Sequence, residues 1–260
     1  MTPVEPKPAA SVVLVRAAGA GAPEPLEVYL IRRHATMRFL GGFYAFPGGK
    51  VDAEDTAPES LACCHGLDAA GAERVFPGAG GVPALAYWVT AARELLEETG
   101  LLLAGDAAGR PVDAAAGGAG EEIERARKEL MAAEAPFAEL LARRGWRCDV
   151  GALRYLSHFI TPRPSPIRFS ARFFLCPLPA GQAPRLFTEE TSEGFWIPPG
   201  LAYRRFQAGE LPMAEPAEYA LGYLAQFESL AEVWAAHADG RHKFHGIIDR
   251  SDVFYGEGFD

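Results

Sequence analysis

An α/β fold follows from three features of the chain. Residues 11–16 (Ser-Val-Val-Leu-Val-Arg) and 26–32 (Leu-Glu-Val-Tyr-Leu-Ile-Arg) are β-rich runs separated by a Gly/Pro/Ala segment, the pattern of two paired strands. Residues 83–100 read as one helix: Pro83 suits a first turn and Gly100 suits the position just past a C-cap. Residues 153–160 and 169–176 read as two further strands that complete the sheet, joined by the stiff turn Thr-Pro-Arg-Pro-Ser-Pro-Ile-Arg.

Between these elements the chain is less regular. Residues 38–51 are rich in glycine and aromatic residues and contain Phe46, Pro47, Gly48, Gly49 and Lys50 in succession. Residues 56–82 carry Ala, Gly and Pro with poor periodicity and are expected to form a peripheral insertion. Residues 104–150 are expected to form a second, helical insertion: a small-residue loop to about Gly120, then a charged helical stretch broken near Pro136. Residues 193–197 end in a short apolar strand preceded by Glu189, Glu190 and Glu193. Residues 216–237 place Leu221, Leu224, Phe227 and Leu230 at the spacing of one packing helix. The expected organisation is a single domain over residues 9–238 with a C-terminal extension at 239–260.

Composition excludes several classes. A hydrophobic fraction of 49% and a charged fraction of 23% are those of a packed globular chain. A net charge of −9 argues against a nucleic-acid-coating surface, although a bridging metal and local arginines can still bind a polyphosphate. The four cysteines form no CxxC pair and are too few for a disulfide scaffold, so reduced thiols are expected. No stretch approaches the ~20 apolar residues that span a bilayer, and the start lacks the pattern of a signal peptide, which makes the cytoplasm the default location.

The helix carries the chemistry. On a wheel of 100° per residue, Glu94, Glu97 and Glu98 share a sector of about 100°. Leu85, Trp88, Val89, Ala92, Leu95 and Leu96 occupy the opposite side and form its buried face, so the acidic face is expected to look outward. Crowded carboxylates raise one another's pKa and weaken the helix unless a cation neutralises them, and clustered oxygen ligands suit Mg²⁺ or Mn²⁺. The glycines at 48 and 49 permit a turn that aims a backbone carbonyl at the same ion.

Taken with Gly49, the run Arg93, Glu94, Leu95, Leu96, Glu97, Glu98, Thr99, Gly100, Leu101 resembles the box of the Nudix hydrolases. Arg93, Glu94, Leu95, Glu97, Glu98, Gly100 and Leu101 meet every specified position of its second half. The first half departs twice: Asp55 stands where the box has glutamate, and it lies 38 positions before Arg93 rather than eight. About thirty extra residues inside the box resemble one subfamily, the peroxisomal acyl-coenzyme A diphosphatases. The resemblance extends to residues 11–14, Arg38 with Phe39, Thr161 with Pro162, and residues 173–176.

The resemblance implies a Nudix α/β/α sandwich with a mixed central sheet and helical insertions. It implies hydrolysis of a small-molecule diphosphate, with coenzyme A or its acyl esters as the favoured substrate, dependent on Mg²⁺ or Mn²⁺. Carried over by position, Glu97 and Glu98 are metal ligands, Glu94 is a third ligand or an orienting partner, and Gly48 or Gly49 offers its carbonyl. Arg93 holds Glu97 by an ion pair. Glu193 is the candidate for a further glutamate from a downstream loop, and Arg163 and Arg168 are candidates to grip phosphate oxygens through bidentate hydrogen bonds. No nucleic acid or membrane partner is expected, and a homodimer enters by analogy alone. Two other readings share this chemistry: a hydrolase of ADP-ribose, NADH or dinucleotides, and a silent nucleotide-sensing domain. The resemblance also carries one geometric expectation, that the acidic helix meets the glycine turn in space.

Overall fold

The computed structural model describes residues 4–37, 40–186 and 191–237, together with the backbone of 247–249. Arg38, Phe39, Glu189, Glu190 and the rest of the segment from 238 onward lie outside the described residues. The long first strand, β1 (Lys7–Ala17), is buried on both faces. Ala10, Val12 and Leu14 point to one core and Val13 and Val15 to the other, which is why it reads as an unbroken apolar run rather than an alternating one. Strand β2 (Leu26–Arg33) pairs antiparallel with the end of β1, Val15 opposite Val28. β3 (Tyr44–Ala45) continues beside β2, and β4 (Gly48–Lys50) pairs antiparallel with the start of β1, so residues 44–50 lie where β1 and β2 part.

The first insertion folds into α1 (Pro58–Ala62), β5 (Cys64–His65) and α2 (Ala69–Val75), and leads into the acidic helix α3 (Ala84–Thr99). Pro83 precedes the first turn of α3, and Gly100 ends it at φ 71°, the left-handed conformation that glycine adopts without penalty. The second insertion contains β6 (Ala104–Gly105), α4 (Ala119–Met131), α5 (Phe137–Arg143) and β7 (Arg147–Asp149), with Pro136 at the N-cap of α5. Strands β8 (Arg154–Ile160) and β9 (Phe169–Pro177) follow, antiparallel to each other, and β9 runs parallel to β1. The chain then forms β10 (Thr191–Ile197), α6 (Pro199–Gln207), α7 (Glu215–Leu224), α8 (Leu230–Ala236) and β11 (Ile247–Asp249).

Among the described residues the main sheet has eight strands in the order β10-β2-β1-β9-β8-β11, with β3 beside β2 and β4 beside β1. Parallel and antiparallel neighbours make it mixed. Helix α3 and both insertions cover one face, while α6, α7 and α8 cover the other, giving the α/β/α layering. A small second sheet, β5-β7-β6, ties the two insertions together. No helix among the described residues is long and apolar enough to cross a membrane.

Three expectations need correction. The insertion at 56–82 is not peripheral: Phe76 is buried and stacks on Trp88 with centroids 4.9 Å apart, while the Arg172 guanidinium carbon lies 3.7 Å from the Phe76 ring centroid. Its aromatic anchor makes it part of the core without any helical or strand periodicity to announce it. Phe76→Leu is therefore expected to cost about 2 kcal/mol, from the lost ring stacking and cation–π contact, read as a lowered midpoint in urea denaturation. The helix expected over 216–237 is two helices, because the Ser229 hydroxyl accepts the Glu232 amide and starts a new one. The acidic face of α3 looks outward only in part: 12% of the Glu94 side chain and 26% of the Glu97 side chain are exposed, and Gly49 lies against the Glu94 carboxylate. In addition, Ile247–Asp249, expected within an extension, pairs in parallel with β8.

Candidate active site

The acidic helix and the glycine turn meet, as the box requires. The Gly48 amide donates to Glu98 Oε2 at 2.7 Å, across 50 positions of sequence. Gly48 has φ 155° and packs against Ser11 and the Ala10 carbonyl, where a Cβ would collide. At Gly49 a Cβ would run into the Glu94 carboxylate. Gly48 is thus required by the close approach of β4 to β1, whereas a side chain at Gly49 would displace the Glu94 carboxylate.

Arg93 is the hub. Its Nε donates to Asp55 Oδ1 and its Nη2 to Asp55 Oδ2, both at 2.9 Å, a bidentate pair. Nη2 also reaches the Lys50 carbonyl at 2.9 Å, and Nη1 donates to Glu94 Oε1 at 2.9 Å and Glu97 Oε2 at 3.0 Å. Asp52 Oδ2 lies 3.5 Å from Nη2. Asp55 sits in a 3-10 turn (Glu54–Thr56), is 1% exposed, and accepts further bonds from the Thr90 hydroxyl at 2.8 Å and the Asp52 amide at 3.0 Å. Asp55 therefore serves as the buried partner of Arg93 despite the insertion that lies between them. The sequence carried one signal for this role, its position six residues after Gly49.

The cluster is short of positive charge. Burial pushes the Glu94 carboxyl up to about 7, against the pull of Arg93, and the neighbouring Glu97 adds to the rise. The Glu97 pKa is also raised, first by burial and then by the fields of Asp55 and Asp52, with Arg93 again opposing. Burial works against the charge of Arg93, but its bonds to Asp55 and the fields of Glu94, Asp55 and Glu97 outweigh it and hold its pKa above the ordinary guanidinium value. Hard oxygen donors in excess of one guanidinium are the donor set that a divalent cation fits. Among the described residues no three such side chains already converge at ligand distances, because Arg93 and the Gly48 amide hold the carboxylates.

The remaining candidates make other contacts. Glu193, on β10, is 48% exposed, receives a hydrogen bond from the Tyr44 hydroxyl at 3.3 Å and lies 3.9 Å from Arg32. Arg163 is exposed on the turn between β8 and β9. Arg168 is 5% exposed and faces inward: it donates to the carbonyls of Thr161 and Val4 at 2.8 Å each. It braces the turn that was expected to present it to a phosphate, because the proline-rich stretch leaves carbonyls that need donors.

Known proteins are similar to the chain over most of its length. A family model described as the NUDT19 Nudix domain matches residues 69–224. The chain is 28% identical to the acyl-coenzyme A diphosphatase NUDT19 of Gallus gallus, over 89% of this chain and 71% of that protein. Against the human protein of the same name the identity is 29%, covering 86% and 70%. A solved Nudix hydrolase from Alicyclobacillus acidocaldarius superposes with a TM-score of 0.73 at 33% identity, covering 89% of this chain and 96% of its own.

Proposed function

Because the chain belongs to the Nudix hydrolases, in the subfamily of the NUDT19 Nudix domain, we propose that it hydrolyses the diphosphate of coenzyme A or its acyl esters with the help of Mg²⁺ or Mn²⁺. It is a Nudix pyrophosphohydrolase, acting on a small-molecule diphosphate. The observation that carries the finer reading is the completed box: Asp55 and Arg93 lock together beside Glu94, Glu97 and Glu98, in a chain similar along most of its length to acyl-coenzyme A diphosphatases. The free thiols fit a reducing compartment, and the cytoplasm is our proposed setting.

The residues divide the work as follows. Glu97 and Glu98 would hold the cation, with Glu94 and a carbonyl of Gly48 or Gly49 completing the oxygen set. When bound, the cation neutralises the diphosphate and acidifies water. Arg93 spaces Glu94 from Glu97 and keeps both aimed along one side of α3. A carboxylate of this set accepts the proton of the attacking water as its oxygen bonds to one phosphorus, and the bridging oxygen leaves with the other phosphate. Arg163 and Glu193 are proposed as peripheral contacts for phosphate and cation.

The test is a substrate panel of coenzyme A, acetyl- and palmitoyl-coenzyme A, ADP-ribose, NADH and diadenosine tetraphosphate, with chromatographic product analysis. With Mg²⁺ or Mn²⁺, coenzyme A should give adenosine 3′,5′-bisphosphate and phosphopantetheine, and EDTA should stop the reaction. Intact coenzyme A and esters beside cleaved ADP-ribose would make the substrate assignment wrong, and turnover undiminished by EDTA would remove the metal.

A further inference from the structure

Helix α4 in the second insertion turns Ile123, Ala126, Arg127 and Leu130 inward, the spacing of an apolar stripe with an arginine in its middle. Arg127 has no exposed surface. A guanidinium so placed loses its hydration, and burial indeed lowers its pKa, opposed by the field of Glu124. An apolar side chain of similar length would fill the space without that cost, so what the charge holds matters.

Three of its donations end on backbone carbonyls. Nε and Nη2 both reach the Glu97 carbonyl, at 3.0 and 2.8 Å, and Nη1 reaches the Arg185 carbonyl at 2.9 Å. The Glu97 carbonyl belongs to the last turn of α3, where helix carbonyls lack an amide partner: the next candidate, Leu101 N, donates instead to the Thr99 hydroxyl. The Arg185 amide in turn donates to the Thr99 carbonyl at 2.7 Å, and Gln182 bonds both the amide and the carbonyl of Leu102, at 2.8 and 2.9 Å. Residues 182–185 and Arg127 thus bind the end of the helix from two sides. A Cβ on Gly100 would come within 2.9 Å of Arg127 Nη1, so the glycine cap makes room for the guanidinium.

We propose that Arg127 is a positioning residue for the hydrolytic site: it clamps the backbone of Glu97, and so fixes where the Glu97 and Glu98 carboxylates stand relative to the glycine turn. A cation at the negative end of a helix also suits the helix dipole. This assigns the helical insertion a part in the chemistry it lies beside, and it rests on the reading of Glu97 and Glu98 as metal ligands.

The experiment compares wild type with Arg127→Met, Arg127→Lys and the control Arg125→Gln, whose residue is exposed and pairs with Glu122. Mn²⁺ affinity is measured by electron paramagnetic resonance without substrate, beside kcat, KM, urea denaturation and amide exchange at the end of α3. Arg127→Met should bind Mn²⁺ about tenfold more weakly and lose kcat by a similar factor, the usual range for a group orienting a metal ligand. KM should move less than about twofold. Arg127→Lys should fall between, and it carries the test if Arg127→Met does not fold. A variant with a lowered urea midpoint but wild-type Mn²⁺ affinity and kcat would overturn the proposal. If wild type itself bound no Mn²⁺, the metal reading would fail separately; faster amide exchange at residues 98–101 in the variant would still support the clamp, and unchanged exchange would refute it.

Discussion

Glu97→Gln is expected to lower kcat by at least about a hundredfold, since a carboxylate holding a catalytic cation is worth several kcal/mol in the transition state. The fold should survive. Its side chain is 26% exposed, and the amide oxygen of glutamine can still accept from Arg93 Nη1, now 3.0 Å from Glu97 Oε2. Removing one of several like charges also relieves repulsion, so stability should change by no more than about 1 kcal/mol. Initial rates across a Mn²⁺ titration, with a thermal melt beside them, make the check. An unchanged kcat at saturating metal would take Glu97 out of the mechanism.

The second large effect belongs to Asp55. Asp55→Ala removes both acceptors of the bidentate pair and leaves Arg93, 6% exposed, with an uncompensated share of its charge. Breaking a buried pair from one side costs about 3–5 kcal/mol, or roughly 10 °C in melting temperature for a chain of this size. The Asp52 amide loses its acceptor as well, and the Thr90 hydroxyl is left with the Ala86 carbonyl. Arg93 would then lean further on Glu94 and Glu97, so metal affinity should drop alongside stability. Asp55→Glu keeps the charge but adds a methylene where there is no room, and should recover only part of the loss. A melting temperature unmoved by Asp55→Ala would mean that Asp55 does not brace the helix.

The two predictions separate what a local pattern reveals from what it does not. Glu94, Glu97 and Glu98 stand within one and a half turns of one helix, and their common face is a property of helical spacing that holds wherever the helix packs. The strands at residues 11–16, 26–32, 153–160 and 169–176 were legible for the same reason: their β-branched and aromatic runs fix local conformation. The end of α3 was legible too, since Gly100 alone among its neighbours adopts φ 71° without penalty.

By itself, then, the sequence determined the paired strands, the acidic helix with its limits, and the box that links the helix to the glycine turn. Tertiary structure alone decided the partners brought from a distance. Asp55 meets Arg93 across 38 positions, Phe76 stacks on Trp88 from a stretch without periodicity, and Arg127 reaches the Glu97 carbonyl from the second insertion. It also turned Arg168 toward the carbonyls of Thr161, in its own turn, and of Val4, far away in the chain. Each of these depends on which buried groups need a partner once the core has closed, and that need arises only from the packing of segments far apart in the chain.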